Sequence, residues 1–373
     1  MYKLRYWTLC WRGLNVTKTL QITGSLNIGG LENMAANIVR YQNTKYQHDF
    51  LIYEPTIKGY EEEMKALGCK IIQIEPPSKS ILKYIVSLYH LLKQNHYEIV
   101  HIHTFTSSGF IAPIAKLAGV KKIVVHSHTA GFDKEQTFFR KIYNELMKKF
   151  INYFSDVRIA VGQKAGEALF NDHFEVIKNG IDVEKFQFNK HERQKIRNEY
   201  QIAESDLVIG HVGRIATEKN QLFLIDIFNE LLAIQPHAKL MLLGHGDNYL
   251  TEVKNKISKL DLDQNVFLFG SVSNPAQYYH AFDVVCFPSL YEGVPLSLIE
   301  AQVNGLPIIG SDQIDKQTKL TDNMHFLSLD EPVKQWATEI LKVKRKDFNL
   351  DNAKQYHIRN IIKEIEFLYD SKD

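Results

Sequence analysis

The chain has 373 residues, of which 45% are hydrophobic and 24% charged. That balance is ordinary for a globular protein, and the length suits two domains of roughly 150–200 residues better than one. Its 45 basic and 43 acidic residues leave a net charge of +2, so composition gives no support to nucleic-acid binding, which usually shows a strongly basic domain.

The opening "MYKLRYWTLCWRGLNVTK" is basic and aromatic but lacks a long apolar core and a small-residue cleavage site. It does not read as a signal peptide, and residues 1–17 are expected to be a poorly ordered extension. From Lys18 onward short apolar runs alternate with helical patterns. "KTLQIT", "HDFLIY", "KIIQI", "EIVHIH", "KKIVVHSH", "VRIAVG" and "FEVIKNG" have the β-branched content and turn residues of strands. Helical periodicity falls between them, at Leu31–Tyr41, Ser80–Lys93, Gly109–Leu117 and Gln136–Phe154. A charged stretch poor in periodic apolar residues, "NGIDVEKFQFNKHERQKIRNEYQIAES", reads as the boundary between domains. Strands then resume at "DLVIGHVG", "AKLMLLG", "NVFLFG", "DVVCFPS" and "LPIIGSD", with helices at Asn220–Ile234, Asp247–Lys259, Pro275–Ala281 and Pro295–Asn304. The tail is amphipathic, spacing Ile358, Ile361, Ile362, Ile365 and Leu368 along one helical face. This alternation predicts two doubly wound α/β domains, over residues 18–185 and 186–355, facing each other across a cleft. A C-terminal helix over 356–373 is expected to cross back to the first domain.

Open α/β sheets bind ligands at the carboxyl ends of their strands, so the residues after each strand carry the functional reading. "GSLNIGGLE" places Gly29 and Gly30 before a helix, where bare backbone can approach a ligand at the positive helix end. The dinucleotide spacing G-x-G-x-x-G is absent. His101 and His103 follow one strand, and His126 and His128 end the next. Of these, His128 is the candidate for substrate contact, and the other three read as packing residues. Neither H-x-H pair has a carboxylate or cysteine at ligand spacing, so no metal is expected. "HVGRIATEKNQ" brackets a loop with Arg214 and Lys219 after Gly213, the fork and point-charge donors a diphosphate requires. Gly244, and Gly270 with Val272, close further strand ends where backbone can meet a base or phosphate.

The stretch "PSLYEGVPLSLIEAQVNGLP" holds two carboxylates, Glu292 and Glu300, separated by seven residues. Pro295 suits a helix start, which puts the amides of Gly293, Val294, Leu296 and Ser297 at or before a positive helix end. Glu300 within the largely apolar "LSLIEAQ" is hard to read as an ordinary wet-face carboxylate. Glu292 reads either as a ligand-facing carboxylate or as a partner of the helix dipole.

Taken together, these residues resemble the retaining GT-B glycosyltransferases of family four. The element E-G-x-P-x-x-x-x-E-A stands here as Glu292 to Ala301, with "VGR…KN" at Gly213, Arg214, Lys219 and Asn220, "NGID" at Asn179–Asp182 and "GG-x-E" at Gly29, Gly30 and Glu32. The resemblance spans nearly all of Lys18–Asp373, and the ordered set of motifs is specific. It implies a nucleotide-sugar donor, UDP-linked, and a lipid-linked glycan acceptor in capsule or exopolysaccharide synthesis. Glu300 would then accept from ribose hydroxyls and Glu292 from donor-sugar hydroxyls. Arg214 and Lys219 would hold the diphosphate leaving group, and Gly30 would approach the phosphates. His128 would lie near the donor sugar and acceptor. Transfer would retain configuration by front-face attack, without metal or other cofactor, so the glutamates are not an acid/base pair of the glycosidase kind. Two departures are Lys178 where proline is common, and Asp247 where the family more often has proline.

The aromatic and basic Phe138–Phe154, with Arg140, Lys141, Lys148 and Lys149, suits either an anionic membrane surface or a core helix with a wet basic edge. No apolar run reaches the ~18–20 residues of a membrane span. The three cysteines, Cys10, Cys69 and Cys286, are sparse and unspaced, as in reduced cytosolic proteins. A cytoplasmic enzyme at the inner membrane face is the expectation. Its rivals are a sugar-nucleotide epimerase of GT-B architecture and an inactive nucleotide-sugar-binding partner.

Overall fold

A computed structural model describes residues 16–56, 59–129, 131, 137–272 and 274–371. The expected N-terminal extension lies, as far as residue 15, outside the described residues, as does Cys10. Thr17 already belongs to the first strand.

The chain forms two compact units, residues 1–179 with 358–373, and residues 180–357. In the first, β1 (Thr17–Gly24), α1 (Gly30–Tyr41), β2 (Tyr46–Ile52), α2 (Glu61–Ala66), β3 (Ile71–Gln73), α3 (Ile81–Asn95) and β4 (Ile99–Ile102) follow in turn. Then come α4 (Ser108–Ala118), β5 (Lys122–Ser127), α5 (Phe138–Phe154), β6 (Val157–Ala160), α6 (Gln163–Leu169) and β7 (Glu175–Val176). All neighbours pair in parallel, in the order β3-β2-β1-β4-β5-β6-β7.

The second unit opens with α7 (Val183–Phe186) and α8 (Lys190–Glu199). It continues through β8 (Val208–Val212), α9 (Gln221–Leu232), β9 (Lys239–Leu243), α10 (Asn248–Lys259), β10 (Val266–Gly270), α11 (Ala276–Ala281) and β11 (Val284–Phe287). It closes with α12 (Leu296–Val303), β12 (Ile308–Ser311), β13 (Met324–Leu327) and α13 (Val333–Lys342). Its sheet is also parallel, in the order β10-β9-β8-β11-β12-β13. Each sheet reverses strand order once, between β1 and β4 and between β8 and β11, and such switch points are where open sheets leave a ligand crevice.

The chain leaves the first unit earlier than residue 185, because Ile177 packs on the first core while Ile181 already bridges to His357 in the second. The last helix, α14 (Ile358–Asp370), lies against the first unit. Its Ile358, Ile361, Ile362 and Ile365 are buried with Met34, Ile38, Ile99, Val124 and Ile159. The stretch read as a bare boundary is α8. Its inward positions include two arginines, so no apolar period announces it. Arg193 and Arg197, one turn apart and both buried, reach Asp283 at 2.8 and 2.6 Å. Arg197 also donates to the carbonyls of Ala281, Ala203 and Asp206 at 2.8 to 3.2 Å.

Candidate active site

In the second unit the candidate residues gather around the switch point. The loop after β8 carries Gly213, Arg214 and Lys219 into α9, and the loop after β11 carries Glu292 into α12. The two loops are stitched together. Leu290 donates its amide to Glu218 O at 2.8 Å, and Asn220 Nδ2 donates to Pro288 O at 3.1 Å. Asn220 takes the left-handed conformation (φ 57°), which asparagine tolerates better than branched residues. Glu292 is held on its other side by a backbone bridge to Ile314, with Asp315 N donating to Glu292 O at 3.1 Å.

These pins bring Lys219 and Glu292, distant in sequence, into an ion pair, with side chains only 16% and 13% exposed. The Lys219 ammonium also lies 5.2 Å from the Phe287 ring centre. Arg214 is largely exposed and pairs with Glu218 at 2.5 Å. Its backbone is fixed instead by Gln221, whose Nε2 donates to Arg214 O at 2.9 Å and lies 3.1 Å from His211 Nε2. Burial lowers the His211 pKa to about 4, so its ring is neutral.

Gly244 (φ +146°) shows why glycine is needed in the next loop. A Cβ there would stand 1.9 Å from the Gly213 carbonyl oxygen. The loops after β8 and β9 therefore close directly on one another, with Gly213 N donating to Leu243 O at 2.9 Å and Gly244 N to Gly270 O at 2.9 Å. Gly270 is left-handed (φ +64°), and Val272 beyond it is half-buried against the core.

α12 starts at Leu296, with Pro295 at its cap position (φ −72°, ψ 123°) and not inside the first turn as the sequence suggested. No side chain caps this start, which leaves the first-turn amides as donors. The Val294 and Leu296 side chains face the core, so those residues can offer a ligand only backbone. Nothing stands within 4 Å of a Cβ built on Gly293. Glu300 is gripped by Tyr279, whose hydroxyl donates to Glu300 Oε2 at 2.7 Å and has Ser297 O at 3.0 Å. Burial pushes the Glu300 carboxyl up to about 7, against the opposing effects of Tyr279 and Lys185.

In the first unit Gly29 precedes α1 with extended backbone (φ −161°) and Gly30 is exposed at the helix start. His128 follows β5 and is half-buried, its Nε2 2.8 Å from His103 Nδ1. His103 Nε2 in turn lies 2.8 Å from Gln21 Oε1. The other histidines are buried, as read from sequence, but they do not lie apart. Rings of His101 and His103 stack at 4.2 Å and those of His126 and His128 at 4.1 Å. Burial, reinforced by the neighbouring imidazoles, holds His101, His103 and His126 well below their usual pKa, and burial alone lowers His128 to about 3. The sequence carries no expectation of a metal here, since neither pair has a carboxylate or cysteine at ligand spacing. Adjacent strands in fact set the two pairs side by side, and ligand atoms of His101, His103 and His126 lie within 4.8 Å of one another.

Sequence reasoning missed Tyr279, Gln221 and Gln21. Tyr279 lies within "AQYYHAFD", where nothing marks the inward tyrosine. Gln21 acts through partners distant in sequence, and Gln221 through nearby His211 and Arg214 that only the fold of the loop brings onto it.

Two parallel-sheet α/β units, each with one switch point, have the architecture of the GT-B glycosyltransferases. Residues 28–185 match the model of Glycosyltransferase Family 4, and residues 192–359 that of Glycosyl transferases group 1. The putative glycosyltransferase EpsF of Bacillus subtilis is 31% identical over 335 residues, 87% of each chain. The capsular polysaccharide biosynthesis glycosyltransferase CapH of Staphylococcus aureus is 26% identical, over 95% of this chain and 99% of its own. An Escherichia coli UDP-Gal:alpha-D-GlcNAc-diphosphoundecaprenol alpha-1,3-galactosyltransferase is 29% identical over 62% of each chain. Among solved structures, Anabaena HepE in complex with UDP and glucose superposes with a TM-score of 0.77 at 17% identity, covering 95% of this chain and 100% of that one. The chain belongs to the family-four glycosyltransferases, on the branch with the capsule and exopolysaccharide enzymes, and is a glycosyl-transferring enzyme.

Proposed function

We propose that the enzyme moves a sugar, with retention, from a UDP-sugar to a hydroxyl of a lipid-linked or oligosaccharide acceptor during capsule or exopolysaccharide assembly. The observation that carries this reading is the Lys219–Glu292 pair set beside the uncapped start of α12, with Glu300 further along the same helix. The E. coli relative's UDP-Gal donor and diphosphoundecaprenol acceptor, and the UDP and glucose bound to HepE, support the substrate classes.

In this reading Glu300 accepts from the ribose hydroxyls. The backbone at Gly213, Gly244, Gly270 and Val272 lines the nucleotide. Lys219 and Arg214 neutralise the diphosphate as it departs, a role that elsewhere falls to a metal ion. Binding the diphosphate draws Lys219 partly away from Glu292, which then accepts from donor-sugar hydroxyls among the amides of Gly293 to Ser297. From the first unit Gly29 and Gly30 offer amides to phosphate, and His128, neutral and therefore able to accept or donate, contacts the donor sugar or acceptor. The departing phosphate oxygen takes the acceptor proton as the acceptor attacks the same face, so Glu292 forms no bond to sugar. No metal or other cofactor takes part in this step.

α5 supports a membrane-borne acceptor. Its outward side presents Phe138, Phe139, Ile142, Leu146 and Tyr153, all exposed, beside Arg140, Lys141 and Lys149. That is the pairing of apolar and cationic groups that an anionic bilayer surface attracts. The enzyme then works at the cytoplasmic face of the membrane, though among the described residues no helix is long and apolar enough to cross one.

The deciding experiment incubates the enzyme with UDP-sugars and measures UDP release with and without an undecaprenol-diphosphate-linked sugar. Acceptor-dependent UDP release is expected. A modified sugar nucleotide formed without acceptor would establish the epimerase instead.

A further inference from the structure

Two His-x-His pairs stand on the neighbouring parallel strands β4 and β5. Register sets His101 opposite Val124 and Ile102 opposite Val125, so His103 and His126 come level on the same face. Side chains two residues apart on a strand share a face. The four rings form one block, with His101 and His126 centred 5.4 Å apart at 7° and His103 and His128 centred 5.1 Å apart. All but His128 are fully enclosed.

The block is poorly satisfied as hydrogen-bonding chemistry. His101 Nε2, His128 Nδ1 and both ring nitrogens of His126 are buried with no hydrogen-bond partner among the described residues. Buried polar atoms are rarely left so, and four in one block call for a common partner. The opposite edges of two of these rings are well held. Tyr369 OH lies 2.6 Å from His101 Nδ1, and Gln21 Oε1 lies 2.8 Å from His103 Nε2. Gln21 Nε2 links the two holders by donating to Tyr369 OH at 3.3 Å. Metal-bound imidazoles are oriented in this way, with one nitrogen on the ion and the other N–H on a fixed oxygen.

We infer that His101, His103 and His126 form a binding site for a late first-row divalent cation of the zinc class. Ligand atoms of the three histidines already lie within 4.8 Å of one another. Tetrahedral zinc with nitrogens at ~2.0–2.1 Å needs them to close to roughly 3.4 Å, and needs the stacked rings to turn so that their in-plane lone pairs converge. His101 ligates through Nε2 and donates Nδ1–H to Tyr369 OH. His103 donates Nε2–H to Gln21 and ligates through Nδ1, exchanging its contact with His128 for the metal. The ion ties β4 and β5 to α14 through Tyr369. It is structural and independent of the donor-site reading, which uses no metal.

The test uses the full chain purified without a histidine tag. Metal content is measured by plasma mass spectrometry, and chelator-stripped protein is titrated with Co²⁺ and then Zn²⁺. About one equivalent of zinc is expected, with visible bands of tetrahedral nitrogen-ligated cobalt that zinc abolishes, and a zinc-dependent rise in Tm. His126→Gln should lose the bands, and Tyr369→Phe, which keeps all three ligands, should weaken binding about tenfold or more. Stripped wild-type protein that shows neither cobalt bands nor a zinc-dependent Tm overturns the site. So does a His126→Gln protein that binds metal as the wild type does. If His126→Gln fails to fold, the wild-type titration and the Tyr369→Phe affinity still decide.

Discussion

Glu300 offers the sharpest quantitative test, because one carboxyl's environment predicts both ligand binding and stability. Burial raises it to about 7 although the Tyr279 hydroxyl pulls the other way, and in the proposed reading ribose hydroxyls bind its ionised form. Below that value a proton must leave before the nucleotide can dock. At about pH 6 roughly a tenth of the sites are ionised and at about pH 8 roughly nine tenths, so UDP affinity should rise about tenfold across that interval through Glu300 alone. Glu300→Gln removes this dependence while keeping an acceptor for Tyr279. Calorimetric Kd values for both proteins, measured side by side, cancel the titration of UDP itself. Stability runs the other way. The folded carboxyl holds its proton more tightly than the unfolded one, so its contribution is greatest below about 4.5 and is lost as pH rises towards about 7. The loss is at most about 3 kcal/mol, and ligand-free Glu300→Gln should therefore melt higher than wild type at about pH 8. Equal pH slopes of Kd in the two proteins, or a less stable variant at that pH, would refute the reasoning.

Lys219→Ala or Arg214→Ala should lower turnover ~10²-fold or more, since in the proposed reading each removes a cation that stabilises the departing diphosphate, and near-normal kcat in both would defeat the assignment. Changing Arg140, Lys141, Lys148 and Lys149 to Glu should abolish sedimentation with anionic vesicles, and undiminished binding would remove the membrane surface from the account. Arg197→Met strands Asp283 without one of its two buried partners and should destabilise by about 3–5 kcal/mol in denaturant titration. Gly244→Ala forces a Cβ onto the Gly213 carbonyl; nucleotide affinity and unfolding midpoint should both fall, and an unchanged midpoint would show that the loop yields freely.

Most strands were legible because parallel strands buried on both faces are written as continuous apolar runs, such as "KIVVHS" and "KLMLL". The strand ends that carry the candidate residues were legible because glycines and charges interrupt those runs. β13 was missed, as its "MHFL" is short and only partly buried. α8 was missed because its inward face is held by Arg193 and Arg197 instead of aliphatic side chains. Hydropathy carries no sign of a cation buried against an aspartate 86 residues further along.

Local pattern thus specified which side chains stand at strand ends: Arg214, Lys219, Glu292, His128 and the glycines. It could not specify their partners, because a pairing depends on which strands become neighbours and in what register. The Lys219–Glu292 pair follows from β8 lying beside β11 across the switch point, and the histidine block from β4 lying beside β5. Even Glu300, raised by burial, takes its hydrogen-bond partner Tyr279 from another helix. Chemistry encoded residue by residue became a site only where the sheets put distant strand ends in contact.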